Sequence, residues 1–139
     1  MDQDTLVEQQ IRDGQRLIED LAGSGFSVAA AGWIKTTDDS QWYLYIASSV
    51  VDMEGSSKGY GIVHPLIRKM PAPFWIGPFD VKLIRERDAL AVGIHELYQR
   101  YPAPLPTWYR QPQLGGVSIE AAYLYPPAGL GACSPSGKQ

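Results

Sequence analysis

Asp80-Val81-Lys82 sets an acid and a lysine two positions apart. On a strand, that spacing turns both side chains to one face. A carboxylate that holds a divalent cation and an ammonium that faces a phosphate are the working pair of a metal-dependent nuclease or hydrolase. Asp52 is the upstream acid such a site would need. The triplet is short and recurs by chance in chains of this composition. The acid expected in the preceding strand of a contiguous hairpin is missing.

The remaining reactive side chains form no familiar constellation. His64 and His95 each stand alone on a predicted helix. His95-Glu96 lacks the second histidine, one helical turn away, of a zinc protease. Structural or solvent roles are expected for both, and no metal site is predicted. No serine occupies a nucleophile elbow, and Cys133 in a Gly/Pro/Ser stretch has no base near it in sequence. Gly55, Gly59 and Gly61 lack the Lys-Ser/Thr that follows in a phosphate loop, and Gly23-Ser24-Gly25 precedes a strand where a nucleotide loop precedes a helix. No cofactor is implied.

The segment from Pro104 to Gln111 is the most unusual, because Trp108, Tyr109 and Arg110 follow the two prolines Pro104 and Pro106 within it. Aromatic rings supply contact area at low entropic cost and arginine adds planar hydrogen bonding, which makes a binding surface. The alternative is that Trp108 closes the core and the prolines stiffen a connection. Tyr43, Tyr45, Tyr123 and Tyr125 can likewise line a sheet face that receives a partner, or serve as amphipathic residues at the core edge.

These residues need a scaffold, and the hydrophobic pattern specifies one. Leu6, Val7, Gln10, Ile11, Gly14, Leu17, Ile18 and Leu21 form a helical stripe over Thr5 to Leu21, with a Thr5/Glu8 capping box and glycines 23 and 25 at the end. Phe26 to Thr36 and Trp42 to Val51 predict a hairpin across the turn Thr37 to Ser40, and the second of these is the candidate central strand. Asp52 to Lys58 is predicted as a polar loop. A helix follows from about Tyr60 to Lys69, kinked at Pro65 or starting there. Val81 to Ile84 predicts a short strand, and Asp88 caps a helix from Ala89 to Tyr101. Residues 102–116 are predicted as a long loop. Val117 to Tyr125 alternates strictly, with Val117, Ile119, Ala121, Tyr123 and Tyr125 on one face.

The expected fold is therefore α+β, with about three helices on a mainly antiparallel sheet of about four strands, in the order α-β-β-α-β-α-β. Residues 1–126 form one expected domain, and 127–139 a Gly/Pro/Ser-rich flexible tail. A length of 139 residues and 45% apolar content can bury a core without crosslinks. One cysteine precludes a disulfide within the chain, and the acids at Asp2 and Asp4 stand where an export signal carries basic residues. A cytoplasmic location with no membrane partner is expected. The net charge of -3, without a basic cluster, argues against a nucleic-acid surface. The leading expectation is a small non-catalytic binding or protein-interaction domain, with self-association through an aromatic sheet face or the Pro-rich loop as one form of it. The metal-dependent hydrolase of Asp52, Asp80 and Lys82 is the alternative, and a module holding a small apolar ligand is a third reading.

Overall fold

A computed structural model describes residues 8–72, 74–100, 107–109 and 111–125. The N-terminal capping box, Tyr101, Arg110, Cys133 and the tail expectation lie outside these residues. The described elements run α1 (Glu8–Gly23), β1 (Ala30–Thr36), β2 (Trp42–Ala47), α2 (Ser49–Glu54), α3 (Ser56–Lys69), a 3-10 turn (Pro78–Asp80), β3 (Val81–Ile84), α4 (Ala89–Arg100), β4 (Thr107–Tyr109), β5 (Gln113–Leu114) and β6 (Val117–Leu124).

The class is α+β, but the sheet is larger than the pattern predicts. It has six strands in the order β3-β2-β1-β6-β4, with β5 paired to β6. It is also mixed, because β3 lies parallel to β2 while the other pairs are antiparallel. A parallel neighbour cannot be reached by a tight turn, and α2 with α3 supplies the crossover. The centre of the sheet is β1, and β2 stands one place from the edge.

Two more expectations are corrected here. Residues 52–54 and 56–58 are helical, because Ser48, the residue after β2, starts α2: its hydroxyl accepts the Val50 amide at 3.1 Å. Such a cap contributes about 1 kcal/mol. Gly55, at a φ of 91°, then turns the chain from α2 into α3. Four α-helices result among the described residues, where three are predicted. The predicted 102–116 loop carries β4 and β5, and Gly115 and Gly116, at φ 62° and 85°, make the two-residue turn from β5 into β6. A Cβ on Gly93 would lie 2.6 Å from the Gly115 amide nitrogen, so α4 meets this turn backbone to backbone.

Two interiors form on opposite faces of the sheet. On one face α1 and α3 cover Trp33, Leu44, Ile46, Val81 and Leu83, together with Tyr125 beyond β6. On the other, α4 covers Ile34, Ile119, Ala122 and Leu124. The strict alternation predicted for β6 breaks at Glu120. Lys35 pairs with Ala121 but Thr36 pairs with Ile119, so one extra residue stands in β6. That bulge places Ile119 on the α4 side while Tyr125 stays on the α1 side. Pro65 lies inside α3. Its missing amide deprives the Gly61 carbonyl of a donor, and Gly61 is exposed, so water can reach that carbonyl.

A buried acid ties the first interior together. Asp13 of α1 is fully buried, and its carboxylate accepts the Trp75 amide at 2.7 Å and the Gln9 side chain at 3.0 Å. The Arg16 guanidinium lies 3.7 Å away. Charge burial is costly without such partners. Here the carboxylate fixes the irregular 74–77 segment against α1.

Candidate functional site

Four aromatic residues, Trp42, Trp108, Tyr123 and Tyr125, assemble into one row on the α1 side, whereas Tyr43, Tyr45 and Tyr109 lie on the α4 side. Trp108 of β4 stands beside Tyr123 of β6, and their rings meet edge to face at 5.2 Å. Tyr123 meets Tyr125 at 5.7 Å, and Trp108 meets Trp42 at 6.0 Å, also edge to face. Perpendicular contacts of this kind match the positive ring edge to the negative ring face. In the register, Trp42 lies in line with Lys35 and Ala121. The small Ala121 thus stands between the strands that carry the two indoles.

The row runs from a locked interior to the surface. At its inner end Tyr125 is 1% exposed; its hydroxyl accepts the Trp33 indole N–H at 3.0 Å and donates to the Ile11 carbonyl at 2.6 Å. Burial pushes the Tyr125 phenol above its ordinary range, against the opposing Trp33 hydrogen bond. Burial raises Tyr123 as well. At the outer end Trp108 is 38% exposed, and Trp42 and Tyr123 are half-buried. Lys35 and Glu120 flank the row as an ion pair at 3.4 Å. The surface is therefore an apolar ridge with a locally balanced border, held rigid by hydrogen bonds beneath it.

Of the three loop residues singled out in the sequence, the structure separates two. Trp108 and Tyr109 are neighbours on a strand, so they point to opposite faces. Tyr109 packs against the α4-side interior, and its hydroxyl donates to the Gln113 carbonyl at 2.8 Å. Arg110 lies outside the described residues. Trp42 and Tyr123 join Trp108 instead, which linear spacing does not reveal because 66 residues separate the two tryptophans.

Asp52, Asp80 and Lys82 are engaged separately. Asp52 lies on α2, accepts the Glu86 amide at 2.7 Å and sits 3.8 Å from Arg87, so it fastens the chain leaving β3. Asp80 ends the 3-10 turn before β3 and accepts the Gly77 amide at 2.8 Å. Lys82 pairs with Asp39 at 3.0 Å and lies over the Tyr43 ring at 4.2 Å. Its partial burial would lower the ammonium's affinity for its proton, but the Asp39 hydrogen bond and the Tyr45 and Tyr43 phenols outweigh this and hold it above the ordinary lysine value. Lys82 and the tyrosines thus extend the α4-side face over β2 and β3. Asp52 and Asp80 lie beyond opposite ends of β3 and share no site.

The Nε2 atom of His64 on α3 is buried and has no hydrogen-bond partner among the described residues. His95 faces solvent on α4, 3.4 Å from the Gln99 amide nitrogen. Among the described residues, no three His, Cys, Asp or Glu side chains converge as metal ligands. No described helix is long and apolar enough to cross a membrane. Comparison with family models, curated proteins and solved structures finds no match to this chain.

Proposed function

We propose that the chain is a non-catalytic binding domain whose contact surface is the Trp42-Trp108-Tyr123 ridge, and that the ridge receives an uncharged apolar segment of another polypeptide. The observation that carries this reading is the edge-to-face row ending in a partly exposed indole over a hydrogen-bonded base. Tryptophan and tyrosine held this way lose little freedom on binding and dominate contact energies. The Lys35–Glu120 pair balances charge at the border and the chain's net charge is -3, so neither feature attracts phosphates. The ridge presents ring edges and faces without a converging acid, base or nucleophile, which suits recognition better than catalysis.

Panning a random-peptide display library on the folded protein tests the reading. Peptides rich in apolar residues should be enriched, and Trp108→Ala should weaken their binding about tenfold or more. Enriched peptides that bind wild type and Trp108→Ala equally well, or no enrichment at all, would remove the ridge from consideration.

A further inference from the structure

The ends of β3 carry features that complement each other across two molecules. Before β3 begins, Phe79 is 87% exposed and Trp75 is 51% exposed. Both belong to a stretch braced from within, since Asp13 holds the Trp75 amide, Ile76 is buried and Asp80 holds the Gly77 amide. Side chains so exposed on so firmly held a backbone contribute nothing to the core. Arg68 and Lys69, both exposed in the last turn of α3, lead into the same stretch. Neither makes an ion pair among the described residues, so the aromatic knob has a basic border.

Beyond the other end of β3 lies a cavity of about 330 Å³ between α4 and the chain entering β1. Ala29, Ala30 and Ala91 are small enough to leave it hollow, and Glu86, His95 and Glu96 stand around it. The Glu86 and Glu96 carboxylates make no ion pair among the described residues. The volume lies at the lower end of the roughly 300–1000 Å³ typical of ligand sites, a size suited to one or two aromatic side chains.

We propose that the protein self-associates head to tail, with Phe79 and Trp75 of one copy entering the α4 cavity of the next and Arg68 and Lys69 facing Glu86 and Glu96. The two features lie at opposite ends of one strand, so a single molecule cannot satisfy both. A contact between unlike surfaces leaves one of each free at every step, which builds rings or filaments.

Sedimentation velocity of the full chain tests this, with thermal melts followed by circular dichroism to verify folding. Wild type should grow beyond dimer as concentration rises, and added salt should weaken the growth. Phe79→Asp spoils the knob, and Glu86→Lys with Glu96→Lys spoils the hole; each variant alone should remain monomeric. Their equimolar mixture should form a heterodimer and stop there, because each variant retains the surface the other lacks. Monomeric wild type throughout, variants that assemble like wild type, or a folded mixture that stays monomeric would each overturn the proposal. So would monomeric wild type that binds phosphatidylserine vesicles through Phe79, which would make the knob a lipid contact.

Discussion

Replacing Gly14 with alanine sets two effects of opposite sign against each other, and the structure decides between them. In a helix interior alanine is favoured over glycine by about 1 kcal/mol, so on propensity alone Gly14→Ala in α1 stabilises. The new Cβ, however, would overlap the Tyr125 hydroxyl and lie 3.0 Å from the Trp33 indole nitrogen. Tyr125 must then withdraw, losing its bonds to Ile11 and Trp33. Two lost hydrogen bonds cost about 1 kcal/mol each, and a stranded indole N–H adds about 1–3 kcal/mol. The net is about 2–4 kcal/mol of destabilisation, or a melting temperature lowered by roughly 6–16 °C for a chain of this size.

A double-mutant cycle isolates the cause. In a Tyr125→Phe background the hydroxyl is already absent, and Gly14→Ala retains its helical advantage against a smaller steric conflict. Its cost there should fall to within about 1 kcal/mol of zero, giving a coupling of about 2 kcal/mol. Urea unfolding of the four proteins measures this. Costs that add to within about 0.5 kcal/mol would refute the idea that the hydroxyl occupies the space glycine leaves.

Asp13→Ala should cost about 2–3 kcal/mol by orphaning the Trp75 amide, whereas Asp13→Asn retains an acceptor and should cost about half that; equal costs in urea unfolding would count against the amide's role. Tyr98 and Tyr125 both ionise above the ordinary tyrosine value of 10.0 because burial favours the neutral phenol. Below pH 10.0 both states keep these protons and stability is independent of the two groups. Above it the unfolded chain ionises first, so stability should fall as pH climbs toward the higher folded values. Tyr98→Phe with Tyr125→Phe should flatten that fall in alkaline melts, and an unchanged slope would exclude these phenols as its source. His64→Leu removes a buried nitrogen with no partner among the described residues and should be neutral or stabilising by up to about 1 kcal/mol, whereas a large loss by thermal melting would show that the nitrogen has an unseen function.

Elements governed by local periodicity were the readable ones. The stripe through Leu17, Ile18 and Leu21 does bury one face of α1, and Val81–Ile84 is a strand, as are Ala30–Thr36 and Trp42–Ala47 within the longer arms of the predicted hairpin. What escaped was set by long-range partners or by a single side chain. Val50 and Val51 extend the β-branched run of β2, yet the Ser48 hydroxyl captures the next turn for a helix. Nothing in Val81–Ile84 tells that it pairs parallel to β2, because orientation is imposed by the crossover. Gln10, Asp13 and Leu17 share helical spacing, so Asp13 on the apolar face was a visible sign of a buried carboxylate. Trp108 was legible as unusual, but its alliance with Trp42 and Tyr123 follows from the order of strands, which spacing along the chain does not contain.

The extra residue at Glu120 has a consequence for which changes of length the chain tolerates. Because side-chain direction in a strand repeats every two residues, the bulge acts as a phase shifter that lets one strand serve opposite hemispheres. Excising that single position would rephase everything before it, driving Ile119 out of one hemisphere and into the other. A deletion at Asp38, on the exposed turn between β1 and β2, carries no such rephasing. Tolerance of indels should therefore track strand parity more closely than solvent exposure, even though Glu120 itself is at the surface.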